Sequence, residues 1–402
     1  MSYHHLPSRG SLRGKVVLVR VDWNVPLLGG LTPEESLKIE RSLPTLRMLA
    51  RRGAIVVALT HLGRPKKRES HFSTSRLATL VSRHYRLPIQ FHGESVSEEK
   101  ARTSLQKFLR SAPVGSIHLL ENVRFEKGEE TNDVRLAKQY ATLGDLFVND
   151  AFASSHRAHA SVVGLAKRLP SYAGPALLEE IKHLEHVLDK ARHPFVVVVG
   201  GLKLSTKIPL LKSILPLCDQ LLIGGAMAVT FAAASKKRIG KSFVEKEAFS
   251  DARILAKNRK IVLPLDAAVT ERVVPEPSLR YVSMDAIAKN DIIVDIGPKT
   301  LRAWGDVLKG ARTILWNGPV GIAEVHACGF GSRFLARIIS RQARGKAFAL
   351  AGGGDTLPII VETRTADAFD FVSTGGGAML EFLAKKGRLP GLIGLLGKQK
   401  AN

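Results

Sequence analysis

Cysteine is almost missing from this chain of 402 residues: only Cys218 and Cys328 occur, far apart and in no CxxC pairing. That excludes a disulfide framework or a zinc ribbon and points to a reducing compartment, the cytoplasm. Aromatic residues are few, at 6%, and none interleave with basic runs as in a base-stacking surface. No apolar run is long enough to span a bilayer, and the opening MSYHHLPSRGSLRGKVV lacks the apolar core of a secretion signal. Acidic residues are scarce too. Asp and Glu number 36 against 60 Lys and Arg, a formal net charge of +24. Such a chain attracts anions. Its basic residues lie in short separate groups at Arg51, Lys66 and Lys236, with no basic tail. A solvated basic surface serving small anionic substrates is expected, with neither nucleic acid nor membrane as partner. Salt-sensitive nucleic-acid binding is the competing class.

Apolar residues make up 45% of the chain, enough for large cores, and the length favours two domains. Ten short β-branched runs recur, each followed by a helix-like stretch. KVVLVRV (15–21), AIVVALT (54–60), SIHLL (116–120) and DLFVND (145–150) lie in the first half. PFVVVVG (194–200), DQLLIGG (219–225), KIVLPLD (260–266), RTILWNG (312–318), AFALAGG (347–353) and FDFVSTG (369–375) lie in the second. Their apolar character is continuous rather than alternating, which marks strands covered on both faces. The expected fold is α/β: two doubly wound, Rossmann-like parallel-sheet domains joined by a helix and hinge. The join is placed at 170–192, where Pro175 opens a helix and Leu177, Ile181, Leu184 and Leu188 form one apolar face.

Ligands of parallel α/β sheets gather at the carboxyl ends of the strands. In the first half those ends carry Asp22, Asn24, His61, Arg64, Arg124, His156 and Arg157. Converging Arg and His side chains suit a small, multiply anionic molecule, because the guanidinium fork binds carboxylate and phosphate in two-point fashion. In the second half the ends carry glycines instead: Gly200-Gly201, Gly224-Gly225, Gly297, Gly318, Gly352 to Gly354 and Gly375 to Gly377. Bare backbone turns leading into helices aim N–H groups at phosphates, so a nucleotide is expected there. The common nucleotide signatures are absent. RIGKSF (238–243) lacks the first glycine of a P-loop, and GFGSRF (329–334) lacks the third glycine of GxGxxG. A nicotinamide-dependent dehydrogenase is disfavoured on that ground. HRAH (156–159) has two imidazoles but no third metal ligand nearby.

Ten ordered blocks, spread nearly end to end, give the chain a close resemblance to the phosphoglycerate kinase family. They are RVDWNVP (20–26), THLGRP (60–65), LLENVRF (119–125), NDAFASSHRAHAS (149–161), GGLKLSTKI (200–208), IGGAMAVTF (223–231), DIGPKT (295–300), LWNGPVGIAE (315–324), AGGGDT (351–356) and VSTGGGAMLEF (372–382). The resemblance implies reversible transfer of the acyl phosphate of 1,3-bisphosphoglycerate to ADP, giving 3-phosphoglycerate and ATP, with Mg²⁺, in a monomer that closes on a hinge. It implies a phosphoglycerate-binding domain over 1–172, with a tail at 387–402 returning to it, and a nucleotide-binding domain over 173–386. Asp22, Asn24, Lys38, His61, Arg64, Arg124 and Arg157 are carried onto the phosphoglycerate. Gly201, Lys203, Lys207, Gly225, Pro319, Glu324, Gly353, Gly354, Asp355 and Thr356 are carried onto the nucleotide, with Glu324 on the ribose. Lys38, Lys207, Gly354 and Gly377 are carried onto the transferred group. A carboxylate in an anion-binding turn is then no contradiction. Mg²⁺ takes one or two carboxylates plus phosphate oxygens and water, so Asp355 is the expected metal ligand and Thr356 an expected phosphate ligand.

The sequence departs from the family where the family normally has an Arg-Ile pair. In LTPEESLKIERSLPTL (31–46), Lys38 precedes Ile39. Lys keeps the charge but loses the fork. Either Lys38 or Arg41, one turn on, supplies the catalytic cation. The alternative is a nucleotide-binding relative whose transfer is weakened or lost. Ala153 and Ala226 stand where glycine is usual, and AEVHACGFGSR (323–333) replaces a more apolar, aromatic continuation. Trp23 reads as core.

Overall fold

A computed structural model describes residues 3–7, 9–26 and 30–397; the last residues of the expected tail, 398–402, lie outside the described residues. The chain divides into two compact units, Met1–Lys182 with Arg388–Asn402, and His183–Gly387. The division falls inside the helix Pro175–Asp189. On that helix Leu177, Ile181 and Leu184 are buried as the spacing predicts, but the fourth buried apolar position is Val187, not Leu188.

Unit 1 is built on β1 (Val16–Arg20), β2 (Ile55–Leu59), β3 (Gln90–His92), β4 (Ile117–Leu120), β5 (Leu146–Asn149) and β6 (Ser171–Ala173). They form one parallel sheet in the order β3-β4-β2-β1-β5-β6. The continuous apolar runs are explained by two cores. Val17 and Val19 of β1 join the core on one face, and Val16 and Leu18 the core on the other. Each such side chain contributes about 1.5–3 kcal/mol on burial. Trp23 belongs to the first core, and its Nε1 donates to Ser42 Oγ at 2.7 Å. The returning tail is tied to this unit. Gly391 N donates to Ser155 O at 2.9 Å, and Leu396 bridges Tyr3.

Unit 2 holds β7 (Phe195–Val199), β8 (Gln220–Ile223), β9 (Ile261–Val262), β10 (Asp266–Thr270), β11 (Arg280–Ser283), β12 (Ile292–Ile296), β13 (Thr313–Asn317), β14 (Phe348–Gly352) and β15 (Phe371–Ser373). A six-stranded parallel sheet runs β15-β14-β13-β7-β8-β9. A second sheet, antiparallel in the order β11-β10-β12, was not anticipated. KIVLPLD, read as a single strand, is broken at Leu263–Leu265: β9 ends at Val262, and β10 begins at Asp266 in the other sheet. Pro264 lacks the N–H that a continuing ladder needs. β3 and β6, of three residues each, were also missed, since QFH and SYA hold no β-branched apolar run.

Candidate active site

The helix Pro33–Arg51 starts at a reciprocal cap. Glu35 N donates to Thr32 Oγ1 at 3.3 Å and Thr32 N donates to Glu35 Oε2 at 2.9 Å. The cap fixes the helix register, which buries Ile39 and leaves Lys38 half-buried. Lys38 is the leading positive charge acting on Asp22; burial raises the Asp22 carboxyl, and Lys38 and then Arg20 oppose that rise. Arg41 lies 3.8 Å from buried Glu180 on the helix Pro175–Asp189. Of the two candidate cations, Lys38 is the one that acts on the Asp22 end of β1.

Four strand ends converge. Asn24 Oδ1 accepts from Gly63 N at 2.8 Å, which ties the segment after β1 to the one after β2. Arg124 donates from Nη1 to Gly63 O and lies 3.3 Å from Glu130. Arg157 donates from Nε to His156 Nε2 at 3.1 Å. Burial lowers the Arg124 pKa, Glu130 opposes, and Arg157, Arg20 and Arg64 push it further down. These cations therefore share one field. Arg124 Nη2 is buried with no hydrogen-bond partner. A buried guanidinium N–H left unpaired is costly, and an anionic group is the acceptor that would satisfy it.

Sequence reasoning missed the residue that holds His61. Arg20, fully buried at the end of β1, donates from Nη2 to His61 Nδ1 at 3.0 Å and from Nε to Ser161 Oγ at 3.0 Å. Ser161 Oγ donates to buried Glu129 at 2.6 Å. Arginine can only donate, so His61 Nδ1 accepts and Nε2 carries the proton. Burial first, then Arg20, Arg124 and Arg157, push the His61 pKa well below its ordinary value. His61 is thus a neutral donor. The available signal was an arginine inside the apolar run VVLVRVDW.

In unit 2 the glycines make close turns. A Cβ on Gly200 would sit 1.9 Å from Pro319 O, so the turn after β7 packs directly on the turn after β13. Gly353 has φ +116°, a conformation that disfavours side chains. Gly376 lies against Gly353 and Gly354, bringing the ends of β14 and β15 together. These turns border a cavity of about 300 Å³ lined by Gly201, Gly225, Ala226, Pro319, Glu324 and Asp355, with Asp266 and Asp295 deeper in its wall. Lys207 Nζ donates to Asn317 Oδ1, and Asn317 Nδ2 donates to Gly352 O at 2.7 Å. Burial lowers the Lys207 pKa to about 8, and Asp355 works against that fall. Lys203, Gly354 and Gly377 are exposed at the same strand ends.

Thr356 corrects an expectation. It is fully buried, its hydroxyl accepts from Gly318 N at 2.7 Å and donates to Gly352 O at 3.1 Å. That hydroxyl joins two turns and is not free for a phosphate. Asn317, which holds Lys207, was not singled out from sequence. Among the described residues no cluster of three His, Cys, Asp or Glu side chains is placed to hold a metal. Asp355 is exposed on the cavity lining. One carboxylate fits Mg²⁺, which takes its remaining ligands from phosphate oxygens and water.

A family model described as phosphoglycerate kinase matches residues 8–386. The chain belongs to the phosphoglycerate kinase family. It is 44% identical over 391 residues to the phosphoglycerate kinase of Thermus thermophilus, covering 96% of this chain and 98% of that one. It is 40% identical over 402 residues to that of Rhizorhabdus wittichii, covering 98% and 100%. The solved phosphoglycerate kinase of Coxiella burnetii matches with TM-score 0.81 at 37% identity, and that of Pyrococcus horikoshii with 0.82 at 27%, each covering 96% of both chains. A phosphoglycerate kinase is a phosphotransferase of glycolysis, acting on small-molecule substrates with ATP/ADP and Mg²⁺, and this chain is such an enzyme. The likenesses give no support to a relative that has lost transfer. No helix among the described residues is long and apolar enough to cross a membrane.

Proposed function

We propose that unit 1 holds phosphoglycerate through Asp22, Asn24, Lys38, His61, Arg64, Arg124 and Arg157, and that unit 2 holds the nucleotide along the glycine turns around Lys207 and Asp355. The observation that carries this reading is the unpartnered, buried Arg124 Nη2 among like charges. An acid with a carboxylate and a phosphate relieves both the missing acceptor and the mutual repulsion.

In the transfer, an oxygen of the terminal phosphate of ADP attacks the acyl phosphorus, the new P–O bond forms, and the bond to the acyl oxygen breaks. The leaving group is a carboxylate, so no general acid is needed; in reverse the carboxylate is already ionised and no base is needed. The chain's task is alignment, water exclusion and positive charge. Lys38 lies at the phosphoglycerate side of the moving group. His61 Nε2–H and the Arg side chains fix the acid. Lys203, Lys207 and the N–H groups of Gly353, Gly354 and Gly377 stabilise the phosphoryl oxygens. Asp355 would hold Mg²⁺, which would supply neutralisation of phosphate charge there. Because the two ligands occupy separate units, hinge closure about residues 170–192 and the segment after Phe382 brings them into contact. The buried free thiols Cys218 and Cys328 fit a reducing cytoplasm, and we infer that the chain works there as a monomer.

A coupled assay of ATP formation from 1,3-bisphosphoglycerate and ADP tests the reading. ATP formation that requires Mg²⁺ and whose kcat/KM falls in Arg124→Met through a raised 1,3-bisphosphoglycerate KM supports it. Turnover unchanged in that variant overturns the assignment of unit 1.

A further inference from the structure

The segment 323–333 departs from the family pattern, and its structure gives Arg333 a place with no assigned role. Arg333 lies in the first turn of the helix Phe330–Ala343 and is 7% exposed. Three consecutive residues here grip the wall of the nucleotide cavity. Gly331 N donates to Asp295 Oδ2 at 2.7 Å, Ser332 Oγ accepts from Val320 N at 2.9 Å, and Arg333 Nη2 donates to His326 O. His326 begins the single turn His326–Gly329, two residues after cavity-lining Glu324. Arg333 Nη1 lies 3.7 Å from Glu362, and the guanidinium also acts on buried Asp295. A buried cation between two carboxylates is costly to move. The carbonyl it holds is therefore fixed, and with it the turn His326–Gly329 that directly follows the Glu324-Val325 segment.

We propose that Arg333 is a positioning residue for the nucleotide: it clamps the turn 326–329 and so aims Glu324 at the ribose hydroxyls. The proposal rests on the reading that Glu324 meets the ribose. The test uses the full chain as Glu324→Gln, Arg333→Met, Arg333→Lys and the double variant Glu324→Gln/Arg333→Met. Steady-state constants are measured with ADP, with 2′,3′-dideoxy-ADP and with 1,3-bisphosphoglycerate. Glu324→Gln and Arg333→Met are each expected to raise the ADP KM about tenfold, the worth of one charge-assisted hydrogen bond. The KM for 1,3-bisphosphoglycerate and kcat stay within about twofold. Both variants lose the preference for ADP over its dideoxy analogue. The double variant is no worse than either single one, and Arg333→Lys recovers part of the loss.

An ADP KM unmoved by Glu324→Gln overturns the ribose reading and the proposal with it. An ADP KM moved by Glu324→Gln but not by Arg333→Met overturns the proposal alone, as do fully additive effects in the double variant. If Arg333→Met does not fold, Glu362→Gln loosens the same guanidinium from outside. A rise of about two- to threefold in ADP KM supports the clamp, and no change overturns it.

Discussion

Lys207 offers the sharpest quantitative test. Its ammonium is held against Asn317 near the nucleotide cavity, and burial lowers its pKa from 10.5 to about 8. The fall corresponds to about 3.5 kcal/mol at most, at about 1.4 kcal/mol per pH unit. Below pH 8 Lys207 is charged in both the folded and the unfolded chain, and the folded state carries the whole cost. Between pH 8 and 10.5 the unfolded chain binds more protons, so stability rises with pH as the cost is relieved. A phosphate beside Lys207 reverses the burial effect and restores the proton. At pH 8.5, ADP binding is then expected to take up roughly 0.7 proton, and ADP affinity falls as pH climbs above 8. Calorimetry in buffers of different ionisation enthalpy reads the uptake directly. Lys207→Arg abolishes it, since Arg stays charged. Lys207→Met removes the buried charge at the loss of one hydrogen bond. A net gain of about 2 kcal/mol raises the Tm of unit 2 at pH 7 by roughly 4–8 °C while nucleotide binding collapses. ADP binding without proton uptake at pH 8.5, together with a Lys207→Met Tm no higher than wild type, would refute the reasoning.

Lys38→Ala is expected to lower kcat on the order of 10²- to 10³-fold with little change in phosphoglycerate KM, and Lys38→Arg to restore it; unchanged turnover in Lys38→Ala would show that Lys38 is not the catalytic cation. His61 is neutral well below its ordinary pKa, so phosphoglycerate affinity shows no His61 titration between pH 6 and 8, and nitrogen-15 NMR finds the proton on Nε2; an Nδ1–H signal contradicts the Arg20 contact. Gly200→Ala drives a methyl to 1.9 Å from Pro319 O; thermal melts of unit 2 should drop by several degrees and ADP KM should rise, and a wild-type melt would mean the two turns are not packed as described. Asp355→Asn should raise the Mg²⁺ concentration for half-maximal rate about tenfold at unchanged phosphoglycerate KM; an unchanged Mg²⁺ requirement removes Asp355 from the metal.

Ten apolar runs were legible in the sequence because a strand buried on both faces can hold almost nothing but Val, Ile, Leu, Ala and Phe. β1 shows the reason: Val16 and Leu18 face one core, Val17 and Val19 the other. The cationic and glycine-rich strand ends were legible for a related reason, since a parallel sheet presents all its carboxyl ends on one edge. The antiparallel strands β10, β11 and β12 were not legible. β11 is largely exposed and gives no continuous apolar run, while β12 opens on Ile292-Ile293-Val294 but is broken by Asp295 and half-buried at its start.

By itself the sequence determined which residues follow the buried strands and so stand at the carboxyl edge of each sheet, because position after a buried strand fixes direction in space. Only tertiary structure decided what each group is free to do there. Arg20 sets the His61 proton from a neighbouring strand, Arg41 is beside Glu180 while Lys38 acts on Asp22, and the Thr356 hydroxyl is consumed between Gly318 and Gly352. A side chain's partner is set by distances between elements remote in sequence, and hydrogen-bond capacity spent on one partner is gone for another.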